Sequence, residues 1–574
     1  MRTIGLAATV VGLGLVLGYV TGRHAIPPLV ESDYCYQLLA ADRLLAGNGL
    51  TSLQPVAPFQ PWEWQFDWGY LTQWPPGYPL LVAVVRGVTG WRTLEACRWI
   101  GVVSCAAALV GWCCWIWRAV PGGLAGWMLA VLGSASAVRV TQLVNPGSDV
   151  LLIALLPFVL LYVHGVLANP DGRGGAVGAW KSGLAGVLSG GLVFLRYVAV
   201  FVPVGIGVYL AMACFVQRRL RPRSLAAYGC GAILPVAALV LINGLLGSGS
   251  PQSQFNLGHA VELRFDPTIL ADAWRNFTDL KLYDYLPVAR VVSAAWPALL
   301  TGLALLVPSV RRSVCRWLAR PAVGLSLAVA LALLVVLVSA TVLFSNKFEY
   351  ARLARYYDPI KPLYFVLFIG PVLVLRWPAL RVTAALAIVA GGWWIAEREW
   401  VGTYQRWLSA ERPMTAYGQW ERCFAPHADR LYQWLREQSR PEWVPRGEPA
   451  TSGALLAAPG PCSVRAAAAP TQWVVVSNYH EYVALETGLP VLPVPADRAT
   501  LERWIGRIQA QRGIDRLRVV FVLDSDNRWR SHWIASPADI VSGFGLTPVT
   551  WKHEVLPMVY DYSRSIRTSP TAEQ

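Results

Sequence analysis

Between residues 99 and 396 the chain runs through a succession of apolar stretches, most of them long enough to cross a hydrocarbon core as helices. They fall at 99–117, 122–138, 148–166, 182–195, 197–213, 225–247, 291–309, 322–344, 360–375 and 380–396. Inside a bilayer the backbone must satisfy its own polar groups, and a long apolar segment does so as a helix. A further stretch, Ile4–Val20, carries no charge and follows Arg2. No small-residue cleavage site follows it before Arg23 and His24, so it reads as a retained first helix. The expectation is a polytopic α-helical membrane protein with about 11 transmembrane helices.

The charged residues then set the topology. The region 182–213 could be one long helix, but Arg196 would lie in its middle, and a charge at mid-bilayer is costly. A break at Arg196 places Arg118, Arg173 and Lys181, the run 217–223, the run 311–320, and Arg376 with Arg381 on one side of the membrane. That agrees with the tendency of basic residues to stay in the cytoplasm. The net charge of +15 is therefore read as topology and lipid-headgroup contact, and nucleic acid is excluded as a partner. The N-terminus is expected in the cytoplasm and the C-terminus outside. The ten cysteines show no metal-ligand spacing. Cys423 and Cys462, if exported, would be available for a disulfide.

Two polar regions interrupt this pattern. Residues 23–98 form an outer loop that includes a Trp- and Pro-rich run and the short apolar segment Pro76–Val88. From about residue 403 the apolar runs shorten to strand length, at 471–478 and 517–527, with helix-like stretches at HEYVALETG and 497–511. Strands alternating with helices predict a small α/β domain. The expected division is a membrane domain over 1–400 and an extracytoplasmic C-terminal α/β domain over 401–574. The polar groups at its strand ends, SNYHEY and DSDN, are either ligand contacts or ordinary loops.

Acidic residues are concentrated just after the first helix, in ESDYCYQLLAADRLLAGNGL. WPPGYPLLVAVV follows, then NPGSDVLLIALL, GGLVFLRYVAV and RLARYYDPIKPLYF. In that order these pieces resemble the polyprenyl-phosphate-sugar-dependent glycosyltransferases of the C superfamily, the relatives of protein O-mannosyltransferases and aminoarabinose transferases. The resemblance covers most of residues 1–375. It implies a sugar transferase at the outer face of a bacterial cytoplasmic (inner) membrane, with a polyprenyl-phosphate sugar as donor and a lipid, polysaccharide or protein as acceptor.

The resemblance also distributes roles. Asp33 stands where the family has an acidic residue acting at the acceptor, as general base or through a metal; Glu31 is the alternative, and Ser32 can cap the helix that follows. Asp149 matches a second acidic position, acting by metal or acceptor contact or as a helix-terminal charge. No cofactor is compelled, and a divalent metal is compatible with the pattern. Arg355, Lys347, Arg352, Arg196 and Tyr356 are the candidates for the donor phosphate, since guanidinium groups suit a leaving group that gains negative charge. Arg196 could equally pair with a carboxylate, and Lys347, Arg352 and Arg355 with Glu349 and Asp358. Glu63, Asp67, Trp74 and His259 are candidates for acceptor or sugar contact; Glu63 and Asp67 lie in a tryptophan belt that could equally be interfacial. The sequence departs from the mannosyltransferases in having Glu31-Ser32-Asp33 in place of an Asp-Glu pair. Two other readings stay open: a transporter or flippase of a lipid-linked anion, and a membrane-anchored binding protein whose outer domain does the work.

Overall fold

The computed structural model describes residues 32–57, 60–72, 74–120, 124–136, 147–168, 175–246, 266–278, 287–343, 350–352, 354–374, 434–435 and, from 473 to 562, all but 479, 488, 490, 496, 513–516, 524–536 and 552–553. Glu31, His259, Lys347, Glu349, Cys423 and Cys462 lie outside these residues, as do the stretches Ile4–Val20 and 380–396. The backbone of Asp33, Glu63 and Asp67 is described, but their side chains are not. The chain divides into two compact units. One comprises 1–28, 73–246 and 254–411; the other comprises 29–72, 247–253 and 412–574.

The first unit is helical. Among the described residues five helices are long and apolar enough to cross a membrane: Thr93–Ala119, Ser148–Leu167, Tyr197–Phe215, Pro222–Leu246 and Pro321–Leu343. A sixth is counted if Ser293–Leu306 and Pro308–Leu318, which meet at 117°, form one broken span. These helices expose many large apolar side chains, Val208, Ile233, Leu305 and Val335 among them, as a lipid-facing surface requires. The chain is thus a polytopic helical membrane protein. Within the expected span 122–138 the described helix is Leu124–Ala135, and most of the basic run 311–320 lies in the helix Pro308–Leu318. That helix buries Val310, Ser313 and Trp317 and leaves Arg311, Arg312 and Arg316 exposed, an amphipathic division.

Small residues and indole N–H groups hold the helices together. Gly175–Gly191 and Pro222–Leu246 approach so closely that a Cβ at Gly186 or Gly190 would overlap the backbone of Tyr228 or Ala232, and one at Gly231 that of Gly183. Between lipid-embedded helices there is no hydrophobic drive to association, so this close approach supplies the packing. Gly231→Val is therefore expected to lower stability in detergent by at least ~2 kcal/mol, because backbone atoms block the new side chain. A lowered melting temperature would register it. Trp112 donates its indole N–H to the Ile153 carbonyl at 3.1 Å and Trp115 to Ser326 Oγ at 3.1 Å, each joining two helices.

The expected span 360–375 is not a regular helix. It passes from a 3-10 segment, Ala354–Ile360, through a single α turn, Lys361–Tyr364, into a π turn, Phe365–Ile369, and a last 3-10 turn, Gly370–Val374. Such changes of winding free backbone carbonyls from their usual partners and gather at functional sites. Here Trp317 donates to the Val366 carbonyl at 3.1 Å and Trp296 to that of Phe368 at 2.8 Å.

The second unit joins an N-terminal piece to the C-terminal region. The Trp-rich run, read from sequence as an interfacial belt or a contact surface, is an antiparallel hairpin of β1 (Thr51–Ala57) and β2 (Gln60–Tyr70). β3 (Trp473–Ser477), β4 (Val491–Pro493), β5 (Arg518–Val522), β6 (Leu546–Trp551) and β7 (Glu554–Tyr562) form one sheet in the order β4-β3-β5-β7-β6. β3 is parallel to β4 and β5, while β7 is antiparallel to β5 and β6. The apolar runs of β3 and β5 are buried, as strands covered on both faces are. Helices His480–Thr487 and Arg498–Arg512 make the two parallel crossovers. The Ser32–Leu45 helix belongs to this unit, with every residue from Tyr34 to Ala41 buried. A helix buried on all faces is a core element, not a loop laid on a surface.

Candidate functional site

Four of the residues singled out by sequence meet in the membrane unit. The region 182–213 is broken where Arg196 predicted. Gly175–Gly191 ends in a 3-10 turn, Leu192–Phe194; Arg196 is extended, at φ −148° and ψ 132°; and Tyr197–Val200 restarts the winding. Arg196 is buried, with its Nε 2.9 Å from Asp149 Oδ1. Asp149 lies in the first turn of Ser148–Ala168, where a negative charge also favours the helix dipole. The pair explains the break: a guanidinium in an apolar region needs a carboxylate, and Arg196 reaches one only by leaving the helix.

The WPPGYP piece fits the same break. Gly77 opens the helix Gly77–Thr89, and a Cβ there would stand 2.5 Å from the Phe194 carbonyl oxygen, two residues from Arg196. Only glycine allows that approach. Trp74, half-buried, precedes it by three residues.

Tyr356 supplies the next link. Its ring centroid lies 5.7 Å from the Arg196 guanidinium and 5.4 Å from that of Arg355, cation–π distances for both. Asp149, Arg196, Tyr356 and Arg355 thus form one chain of charge, drawn from three segments far apart in sequence. The segment bearing Tyr356 is firmly held. Ala351 receives Asn276 Nδ2 and Tyr357 Oη on its carbonyl, at 3.1 and 3.0 Å, and its N–H donates to Thr341 Oγ1 at 2.9 Å. Tyr364 donates to the Ser293 carbonyl at 2.8 Å.

The remaining basic residues of this stretch are engaged elsewhere. Arg352 pairs with Asp266 at 2.9 Å and Asp272 at 3.0 Å. Hydrogen bonds from Thr268, with the Arg352 guanidinium, hold the Asp266 carboxyl below the ordinary range. Asp358, read from sequence as a partner for the cations before it, pairs with Lys361 at 2.9 Å, and both are buried. Lys361 stood within a recognised motif, but sequence gave no sign that it was buried. Its spacing of three from Asp358 was the available signal.

Asp33 belongs to the second unit, in the first turn of the Ser32–Leu45 helix, where sequence expected a helix to begin. Tyr36, one turn on, shares a 3.0 Å hydrogen bond with His480 Nε2, and both are buried. Sequence reasoning placed His480 in a polar strand-end motif without a partner. Among the described residues, no group of three or more His, Cys, Asp or Glu side chains is placed to hold a metal ion.

No family model matches the chain, and neither does the sequence of any curated protein. Its fold does have solved counterparts. The crystal structure of ArnT from Cupriavidus metallidurans in the apo state matches at a TM-score of 0.53 and 12% identity, over 98% of this chain and 99% of that one. The same protein bound to undecaprenyl phosphate matches at 0.50 and 13% identity, over 98% of both. The chain therefore shares the overall fold of these structures across nearly its whole length, at a level of identity that speaks for the fold alone.

Proposed function

We propose that the protein is a membrane glycosyltransferase. It moves a sugar from a polyprenyl-phosphate carrier to an acceptor hydroxyl on a lipid, polysaccharide or protein at the outer face of a bacterial cytoplasmic membrane. The observation that carries this reading is the meeting of Arg196 and Arg355 on Tyr356, with Asp149 holding Arg196. Guanidinium groups in a poorly hydrated region are suited to a phosphate that gains negative charge as the sugar leaves. The fold is that of a protein whose crystal structure holds undecaprenyl phosphate, which supports the same class of donor here.

The chemistry divides as follows. As the acceptor hydroxyl attacks the anomeric carbon, its proton passes to a carboxylate, and Asp33 is assigned that role by its place in the motif order. The bond from the anomeric carbon to the phosphate oxygen breaks, and Arg196 and Arg355 stabilise the polyprenyl phosphate released. Tyr356 fixes both cations. Asp149 orients Arg196, which favours that role over direct contact with acceptor or metal. Arg352 and Lys361, committed to carboxylates, shape the segment carrying Arg355. Trp74, three residues before Gly77, keeps its assignment to acceptor or sugar contact; Glu63 and Asp67 keep theirs from the tryptophans around them, His259 from its long outer loop, and Lys347 its own from the basic cluster with Arg352 and Arg355.

The test is a transfer assay on purified full-length protein in detergent. A panel of radiolabelled undecaprenyl-phosphate sugars serves as donors, with a membrane-lipid extract and a periplasmic protein fraction as acceptors. Label is expected to move from one donor of the panel to an acceptor, and a chelator arm reports any metal requirement. Undecaprenyl phosphate alone is expected to raise the melting temperature, and Arg355→Ala to weaken that binding about 10- to 100-fold. Binding without consumption of any donor would favour transport, and neither binding nor consumption would sink the reading.

A further inference from the structure

We propose that the C-terminal α/β sheet is the mount for the helix that carries Asp33, and that His480 is the positioning residue that fixes it. The inference rests in part on the transferase reading above, because it takes Asp33 as the group to be positioned.

Sheet topology supplies the first ground. The chain leaves β3 toward β4 on one side and leaves β5 toward β6 on the other. Strands whose connections diverge in this way open a crevice at their carboxyl ends, where open α/β sheets ordinarily bind ligands. The polar groups at the end of β3 are Ser477, Asn478 and His480, and they are exposed by 0, 3 and 2%. Groups so deeply buried are closed to a soluble ligand. Instead, His480 meets Tyr36 of the N-terminal segment, and the Ser32–Leu45 helix packs against the His480–Thr487 helix. The position that an α/β domain would offer to a ligand is taken by the protein's own residues from the start of the chain.

The second ground is the way Tyr36 is gripped. Its hydroxyl shares the 3.0 Å bond with His480 Nε2, and the two rings meet edge to face at 6.3 Å. Its carbonyl accepts from Ser52 Oγ at 3.1 Å, so the β1–β2 hairpin holds the same residue from the main chain. Further along, Arg43 Nε donates to Thr51 Oγ1 at 2.7 Å. Tyr36 is one turn from Asp33 on a single helix, so a constraint on Tyr36 is passed directly to the backbone of Asp33. A buried hydrogen bond between segments 444 residues apart adds little as bulk stability but does define a position. This arrangement also counts against the domain as an independent binding module, since its core is incomplete without residues 32–45.

The experiment uses the full-length protein with Tyr36→Phe, His480→Ala, His480→Gln and the double variant Tyr36→Phe/His480→Ala. Hydrogen exchange of the amides over 36–45 is measured first and needs no substrate. Tyr36→Phe and His480→Ala are each expected to speed exchange there about fivefold while β3 and β5 keep wild-type protection. The double variant should go no further than either single change. His480→Gln should restore protection, since a Gln amide reaches the place of Nε2. With whichever panel donor the wild type consumes, Tyr36→Phe and His480→Ala are each expected to lower kcat about tenfold with KM for the donor unchanged. Unchanged exchange over 36–45, or equal acceleration across the sheet, would overturn the clamp. Altered exchange with wild-type kcat would overturn its service to Asp33. A wild type that consumes no donor would count against the transferase reading instead, and exchange alone would then decide the mount.

Discussion

Asp33→Asn is expected to lower sugar transfer by about 10²- to 10⁴-fold, the range that a positioned general base contributes. Asn keeps the shape of the side chain and, like Asp, suits a helix N-terminus, so the second unit should fold unchanged. The signature is a protein with wild-type melting temperature and wild-type affinity for undecaprenyl phosphate that no longer turns over. Glu31→Gln is the comparison. If Glu31→Gln abolishes transfer and Asp33→Asn does not, the base is the earlier carboxylate. Activity retained by both variants would remove this segment from the chemistry. The measurement is the initial rate of label transfer at saturating donor, with binding followed separately, so that loss of catalysis is not taken for loss of substrate.

The second large effect concerns the buried pair. Asp149→Asn should destabilise the membrane unit by about 3 kcal/mol, because it leaves the Arg196 guanidinium in an apolar region without its carboxylate. Their side chains are only 17% and 7% exposed, so water does little to replace the lost partner. Removing both charges together is another matter. Asp149→Leu/Arg196→Met should recover most of the stability, since two apolar groups can substitute for a buried pair at little net cost. It should not recover binding of undecaprenyl phosphate. Melting temperature and lipid binding, measured on the single and double variants, thus separate holding the fold from holding the donor. A double variant that binds undecaprenyl phosphate like the wild type would show the pair to be structural alone, leaving Arg355 as the phosphate contact. If Asp149→Asn melts like the wild type, the carboxylate is not what keeps Arg196 in place.

Much of the membrane unit could be read from the chain directly. Apolar length determines which segments can cross a bilayer, and five of the expected stretches are such helices, several with ends within a few residues of those read from the chain. The cost of a mid-span charge identified the break at Arg196 before any geometry was known. The same physics explains where periodicity failed. The stretch 360–375 is apolar enough to be a span, yet its winding changes three times. Composition records hydrophobicity but not which carbonyls neighbouring indoles will claim, and Trp296 and Trp317 come from helices about fifty to seventy residues away. The hairpin at 51–70 was missed for a related reason: tryptophans in strands and tryptophans at a membrane surface look alike in one dimension.

The candidate site divides along the same line. Asp149, Arg196, Arg355 and Tyr356 were each visible as charge or aromatic residues out of place in an apolar chain, and the order of motifs placed Asp33 at the head of its helix. Their pairing was not visible, because an ion pair joins residues by distance in space, and sequence separation carries no record of it. Asp358 shows the point: sequence offered it as a partner for the cations before it, and the structure adds Lys361, three residues on, as a buried partner. The sequence by itself determined that this is a membrane protein of many helices, with its charges confined to a few positions where charge must serve a purpose. Only the tertiary structure decided that Arg196 and Arg355 converge on one tyrosine, and that a helix near the N-terminus packs against a helix of the C-terminal α/β region. Hydrophobic length and charge cost are local properties of the chain, whereas hydrogen bonds and ion pairs between distant segments exist only once packing has brought them together.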